Sequence, residues 1–541
     1  MRNFLCCLLA MLALASPGLM AVETPLEAQL EQLAKASFGE KSSLLAAIAE
    51  RGDDASLAIL KAIQSGDLHY RKSDRKVVIV AKAEGGVALT DPVSNESLGI
   101  AGKRDTRKIT INNSLRGELK QLIAGFKLKS PRPAERIQGA ASIINDPSPD
   151  MLPVIDKALA EETDGDVREA LDIARAAIIV SDRVSEPKAR IAALAQLGEA
   201  TDSNAINLVS KYTLKDAEGN YLEQDGELVA TAEAALEKLK TRQSFYELIQ
   251  NLFFGVSLGS VLLLAAVGLA ITFGVMGVIN MAHGEMIMIG AYATYTVQLL
   301  MPNLIGASIL VAIPVAFLVS GITGVLIERL IIRHLYGRPL ETLLATFGLS
   351  LVLQQLVRTI YSPLNRSVIT PEWMSGSWAV NGMLSLTWNR LYIIIFSLLV
   401  LFALIALMKK TSLGLQMRAV TLNRKMASSM GIKTGWIDAM TFGLGSGIAG
   451  IAGVALSQLT NVGPNLGQAY IIDSFMVVVF GGVGNLFGTL FAAMSLGIVN
   501  KFMEPLAGAV LAKILILVFI ILFIQKWPRG LFAIKGRFIE D

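Results

Sequence analysis

TFGVMGVINMAHGEMIMIGAY, running from Thr272 to Tyr292, decides how this chain is read. It places Asn280, His283, Gly284 and Glu285 between two long apolar segments. About 20 apolar residues cross a bilayer, and an ionisable group at its centre costs on the order of 3 kcal/mol. Such groups therefore sit at a membrane boundary or line a cavity made of protein. A short interfacial turn and a transport pathway both satisfy that constraint, and these residues alone leave both open.

Composition divides the chain around this stretch. Of 541 residues 53% are hydrophobic, yet 17% are charged, and the charge is concentrated before about Gln250. From Asn251 onward Leu, Ile, Val, Ala, Gly and Phe dominate. A net charge of +4 is too small and too dispersed for nucleic acid. The fold class expected is all-α: an exported helical domain of the HEAT type, then a polytopic membrane domain of eight or nine segments. Boundaries follow as 1–21 for an export signal, 22–243 for the exported domain and 244–541 for the membrane domain.

The signal rests on Arg2, an apolar core from Phe4 to Ala15 and small residues toward Ala21. Cys6 and Cys7 both lie in that core, so the mature chain would hold no disulfide or thiolate metal site. In the exported part, Leu152, Ile155 and Leu159 recur at helical spacing, as do Val167, Leu171, Ala174 and Ile178. PAERIQGAASIINDPSPDML from Pro133 aligns with PKARIAALAQLGEATDSNAI from Pro187. DGDVREALDIARAAI between them puts Asp166 at a helix start with Arg168 beside it, and stacked units of this kind bury their apolar stripes on one another. Val77 to Ala81 with a turn at Gly85-Gly86 reads as one small hairpin. No chemistry is visible here: His69 is a lone surface histidine, and GEKSS at Gly39 lacks the contiguous Gly-Lys of a phosphate loop.

In the membrane part the apolar segments are Leu252–Met276, Ala282–Met301, Leu304–Ile327, Thr342–Tyr361, Leu391–Met408, Ile437–Leu459, a broken region from Tyr470 to Met503, and Ala507–Ile524. With the amino end outside, Arg329, Arg333, Arg338, Lys409, Lys410, Arg418, Arg424, Lys425 and Lys433 all fall inside, as the positive-inside bias requires. Trp373, Trp378 and Trp388 fall outside, as interfacial anchors. The basic tail from Lys526 is inside only if Tyr470–Phe480 and Leu486–Met503 both cross; a re-entrant first piece fits the apolar pattern as well. Gly443 and Gly447 have the spacing of close helix packing, whereas Gly481, Gly482 and Gly484 crowd an elbow suited to a hinge.

Between the fifth and sixth segments, SLGLQMRAVTLNRKMASSMGIKTGWID is too polar to cross. Leu415, Ala419, Leu422, Met426 and Met430 recur at helical spacing, and Gly431 is a stop signal. Its apolar face and its Arg418, Arg424 and Lys425 suit a helix lying on acidic headgroups or a peg inserted into a soluble partner.

This loop, together with INMAHGEMIMIGAY and VVVFGGVGNLFGTL, resembles the permease subunits of ABC importers of the branched-chain amino-acid type. ATFGLSLVLQQ from Ala345, FGGVGNLFGTL and the exported extension narrow the resemblance to the first (B-type) permease of bacterial urea importers. The resemblance implies a multi-pass subunit of the bacterial inner membrane with its amino-terminal domain in the periplasm. It implies a second homologous permease, two ATPase subunits, an exported substrate-binding protein and surrounding lipid as partners, with no cofactor of its own because ATP binds the partners. The segment from Leu413 to Ile432, with Arg418, Arg424, Lys425 and Gly431, would meet the ATPase. Thr421-Leu422-Asn423 stands where many relatives carry an acidic residue.

A small neutral cargo such as urea needs polar groups without fixed charge. Thr272, Asn280, Asn485 and Thr489 qualify, with Gln354 and Gln355 as further candidates. His283 and Glu285 belong to the same pathway set or order the turn through its backbone. Branched-chain amino acids and short amides remain alternative cargoes, and a passive urea or water pore would use the same lining without needing the basic peg. No catalytic or metal-binding set is expected, because His283 and Glu285 have neither a second histidine nor a serine–base pair nearby.

Overall fold

The computed structural model describes residues 26–532 except 84, 85 and 103. The export-signal reading and the Gly85 half of the expected turn lie outside the described residues. Two compact units divide the chain, Met1–Arg242 and Gln243–Asp541.

The first unit opens with three helices, α1 (Leu26–Lys35), α2 (Phe38–Glu50) and α3 (Asp54–Ser65). Strands β1 (Leu68–Arg71), β2 (Val77–Ala83), β3 (Gly86–Thr90), β4 (Ser97–Ala101) and β5 (Thr106–Lys108) follow, all paired antiparallel in the order β4-β3-β2-β1-β5. The expected hairpin is therefore the centre of a five-stranded sheet, and the chain is helix-dominated rather than all-α. The other strands escaped detection because LHYR, SLGIA and TRK are short and lack the β-branched run of Val77 to Val80. Leu33, Leu60, Leu68, Val77 and Leu119 form one core between helices and sheet.

Six helices complete the array: α4 (Asn113–Leu128), α5 (Pro133–Asn145), α6 (Leu152–Glu161), α7 (Gly165–Ser181), α8 (Pro187–Leu197) and α9 (Ser203–Ser210). The two Pro-initiated sequences become α5 and α8, each with proline where its missing N–H is harmless. Asp164, not Asp166, caps α7, accepting from the backbone of Asp166 and Val167. Arg168 donates to the carbonyls of Leu159 and Glu162. Between α5 and the α6–α7 turn, Arg136 holds Glu162 through two bonds of 2.8 and 3.0 Å, both side chains largely buried.

α10 (Gly226–Met276) supplies residues to both units. The second unit continues with α11 (His283–Leu300), α12 (Ile305–Leu330), α13 (Pro339–Tyr361), the two-stranded β6 (Ser377–Ala379) and β7 (Ser385–Thr387), and α14 (Trp388–Lys410). The short α15 (Ser412–Leu422) and α16 (Arg424–Ser429) precede α17 (Thr434–Ser457), α18 (Leu466–Gly481) and α19 (Leu486–Lys526). Among the described residues six helices are long and apolar enough to cross a membrane, and α18 is a shorter apolar helix.

α19 is two helices. A straight helix of its 41 residues would be roughly 60 Å long. Yet beyond its far end Leu531 donates to Phe480 O (2.9 Å) and Phe532 to Gly481 O (3.2 Å), beside its start. The chain reverses at Gly508 (φ 77°, ψ 158°), three residues after Pro505. That left-handed conformation is open to glycine, and proline removes the N–H that would continue the helix.

Burial works against the charge of Glu162, but Arg136 and the backbone N–H groups of Asp164 and Thr163 outweigh it and hold the carboxyl below the usual range. Its contribution is present above the ordinary glutamate value of about 4.3 and is lost as pH falls through the lower folded value. Arg136→Ala removes the charged partner of a carboxylate that keeps its Thr163 and Asp164 N–H donors, and should cost about 1.5–3 kcal/mol at pH 7. The check is the protease-resistance melting midpoint of the first unit in the full chain, with the difference from wild type shrinking below about pH 4.

Candidate functional site

α11 begins inside the helical bundle. Gly274, near the end of α10, lies against Gly484, where an added Cβ would stand 2.7 Å from the Gly484 Cα. The chain then leaves helical geometry until His283, whose Nε2 donates to Ala265 O at 2.9 Å. Ala265 lies about 11 residues back along α10, roughly 16 Å from its end. The segment thus doubles back, and α11 starts midway along the apolar run of α10.

A second helix starts at the same depth. Any side chain at Gly284 would strike Gly467 O, and one at Gly467 would strike the Gly284 backbone. The first turns of α11 and α18 therefore touch backbone to backbone and run apart, α18 toward the Gly481–Gly484 elbow and α11 away from it. Both helix starts point free N–H groups and positive dipole ends into this region.

Polar side chains converge there. Glu285, buried in the first turn of α11, accepts from Ser350 Oγ and Gln354 Nε2 of α13, both at 2.8 Å. Thr346, one turn earlier on α13, accepts from Met281 N (3.2 Å), and Asn280 Oδ1 accepts from Ala282 N (3.0 Å). One turn beyond Gln354, Arg358 donates to Asn465 Oδ1 (2.9 Å) at the N-cap of α18. Asn280 Nδ2, His283 Nδ1 and Glu285 Oε2 are buried without a hydrogen-bond partner. A buried polar atom left unpaired costs about 1–3 kcal/mol. The three belong to one short stretch of chain, but His283 faces α10 while Glu285 faces α13.

Of the candidates, His283 faces α10, Glu285 faces α13, and Asn280 lies in the turn before them. Thr272 is buried in α10, donating to Gly268 O and Leu269 O. Asn485 caps α19 and donates to Phe532 O, and Thr489 bonds back to Asn485 O, so both belong to the elbow. Gln354 joins the Glu285 network, whereas Gln355 is exposed. His283 engages the backbone of α10 rather than that of its own turn. Gly443 and Gly447 pack α17 on α12, while Gly482 and Gly484 take positive φ in the elbow.

Sequence reasoning passed over Asp473 and Lys513, paired at 3.0 Å between α18 and α19. An acid and a base isolated in two apolar runs was the available signal. It also passed over Ser350, 65 residues from Glu285.

The polar segment forms two short helices instead of one, broken at Asn423, which caps α16 by accepting from Met426 N. Gly431 (φ 88°) ends α16. Leu413 and Ile432 pack against the core, while Leu415, Leu422, Met426 and Met430 are exposed, as are Arg418 and Lys425. Arg424 turns inward and holds Asp438 of α17, with one bond at 3.1 Å and its guanidinium over the Tyr336 ring at 4.6 Å. Burial opposes the charge of Arg424, but pairing with Asp438 prevails and raises its pKa above the usual arginine range.

Residues 251–524 match the family model described as "Branched-chain amino acid transport system / permease component". The high-affinity branched-chain amino acid transport system permease protein LivH of Escherichia coli K12 is 30% identical over 299 residues, covering 53% of this chain and 96% of that protein. BraD of Pseudomonas aeruginosa, of the same description, is 28% identical over 295 residues with the same coverage. The probable branched-chain amino acid transport permease protein LivH of Methanocaldococcus jannaschii is 25% identical over 292 residues, covering 51% and 90%. No solved structure matches. These relatives are transport permeases, not enzymes.

The approach of α11 to α17 requires glycine: a Cβ at Gly290 would meet the Gly450 backbone, whereas Gly348 faces open space. Gly290→Val should remove the monodisperse peak on size-exclusion chromatography in detergent, an overpacking cost of about 1–3 kcal/mol or more. Gly348→Val should leave that peak unchanged.

Proposed function

This chain belongs to the branched-chain amino acid transport permease family, and from that premise we propose that it is the membrane permease subunit of an ABC importer. The cargo proposed is urea, and the energy comes from ATP hydrolysed by partner ATPase subunits. The reading includes a second homologous permease, an exported substrate-binding protein, and residence in the bacterial inner membrane with the HEAT-like domain in the periplasm. Nine crossings satisfy the charge distribution. α10, α11, α12, α13, α14, α17, α18 and the two halves of α19 then alternate, with Arg329, Arg333, Lys409, Lys425, Lys433 and Lys526 all on the cytoplasmic side.

The single observation carrying the reading is the meeting of two helix starts at Gly284 and Gly467, next to Asn280, His283 and Glu285, each of which keeps one buried polar atom unpaired. Interrupted helices at mid-membrane are tolerated where they line a cavity and are a recurrent form of transport site. Urea, a small neutral molecule with four N–H donors and a carbonyl acceptor, suits Glu285 Oε2 as acceptor and Asn280 Nδ2 as donor. Branched-chain amino acids are the second reading, favoured by the descriptions of the relatives and by the fixed charges of Glu285, Asp473 and Lys513. The exposed apolar stripe of Leu415, Leu422, Met426 and Met430, with Arg418 and Lys425, is the proposed contact for the ATPase. The Gly481–Gly484 elbow is the proposed hinge.

Reconstituted with its ATPases and binding protein, the complex should accumulate labelled urea only when ATP is supplied; uptake indifferent to ATP would refute the importer reading. Parallel uptake of labelled leucine, with no urea uptake, would leave the importer standing and replace the cargo. Gln354→Ala removes a donor to Glu285 and should lower uptake about tenfold, the worth of a hydrogen bond to a charged group. Gln355→Ala, on the exposed side of the same helix, should leave uptake within about twofold, as surface substitutions generally do.

A further inference from the structure

Where α12 ends, the 3₁₀ turn after it, the Gly431 stop and the start of α17 enclose an open-sided cavity of about 780 Å³. Arg329, Arg333 and Lys433 supply its charge, Ser428 and Thr434 its hydroxyls, and Trp436 forms one wall. No carboxylate lines it. Asp438 is already held by Arg424, and Glu328 is buried beside Arg329 at 3.8 Å. No side chain caps the first turn of α17, whose backbone at Thr434 and Gly435 also borders the cavity.

The apolar surroundings indicate what fills this basic pocket. Ile322, Leu326 and Leu330 are exposed on α12 with Arg329 beside them at helical spacing, and Arg333 follows in the 3₁₀ turn after the helix ends. In the proposed membrane placement that stripe faces acyl chains, and the two arginines lie directly beneath it at headgroup level. The Trp436 ring, 54% exposed, stands at the same level, as interfacial tryptophans do. An acidic protein surface would match the charge but would leave the continuity with the acyl-facing stripe without purpose.

We propose that this cavity binds the phosphate headgroup of an anionic phospholipid, with one acyl chain along Ile322, Leu326 and Leu330. The inference rests on the membrane placement given above and is independent of the cargo. Because Ser428, Gly431 and Lys433 join the proposed ATPase contact to α17, the bound lipid braces the junction through which that contact acts.

The test uses the full chain in nanodiscs of phosphatidylcholine with or without phosphatidylglycerol, extracted into detergent and weighed by native mass spectrometry without ATP or cargo. Wild type should retain one phosphatidylglycerol that the Arg333→Gln, Lys433→Gln double variant retains about tenfold less, as expected for two basic groups at an anionic surface. The Arg333→Lys, Lys433→Arg double variant should keep it, which separates charge from folding. Equal retention by the Gln variant overturns the proposal. Loss of ATPase co-purification in that variant with lipid retention intact assigns the cavity to an acidic protein surface instead. Displacement of the lipid by millimolar inorganic phosphate assigns it to a soluble anion. Retention is read without transport, so failure of the importer reading leaves this result interpretable.

Discussion

A backbone that leaves helical geometry inside an apolar slab must find partners for its N–H and C=O groups, and this requirement organises the second unit. Between Met276 and His283 the chain meets it with side chains: Thr346 takes the N–H of Met281 and Asn280 that of Ala282. The rest is done by proximity, since Gly284 and Gly467 let two helix starts share one small volume. A methyl group at either position would push the helices apart and expose those groups to an environment with nothing to offer them. Glycine here stabilises close packing and permits a polar centre at once.

The same requirement explains how charge is distributed. Deep carboxylates are never left to the apolar phase alone: Glu285 has Ser350 and Gln354, Asp473 has Lys513, and Asp438 has Arg424. The three arrangements differ in completeness. The last two are ion pairs, each joining a buried carboxylate to a half-exposed cation. Glu285 keeps one oxygen unpaired in a neutral network and so retains capacity for another donor, as does buried Glu328, both of whose oxygens lack a hydrogen bond. In the proposed reading the α11 start belongs to the pathway, and the other two pairs hold helices together.

Much of the second unit was legible in the sequence because apolar runs and basic loops follow directly from the cost of placing charge in lipid. Most expected segments lie within helices of similar bounds, but α10 begins 26 residues before its expected segment and α19 takes in two of them. What stayed hidden depended on tertiary proximity. The reversal of α19 needed the contact between Phe532 and Gly481, which no local pattern announces, although Pro505 and Gly508 were visible. Glu285 finds its donors on α13, where Gln354 was a candidate but nothing in the sequence tied it or Ser350 to Glu285. Arg424 looked like one more exposed cation until Asp438 was placed beside it. In the first unit, β1, β4 and β5 lacked the alternation that reveals a half-buried strand, so only the sheet's centre could be read.

Burial within the second unit limits how force applied at α16 can travel. α17 is buried along most of its length and is the central post, whereas α19 packs its first half on α10 through Gly497 and leaves its second half largely exposed. α16 joins α17 through only a few residues and is clamped to it by Arg424 and Asp438, while Tyr336 closes over the guanidinium. Burial, with the charges of Asp438 and Glu328, keeps the Tyr336 phenol protonated, so the ring stays a neutral lid. A displacement of α16 in the proposed mechanism must then move the base of α17, because sliding past it would strand Asp438. α17 touches α11 through Gly450 against Gly290 and Gly453 against Ile287, within two turns of Glu285. Interfaces this close do not deform gradually; they hold one packing or shift to another. The push therefore reaches the polar centre as a change of helix packing, and the elbow at Gly481–Gly484, where φ is already positive at Gly482 and Gly484, can absorb the accompanying rotation of α18.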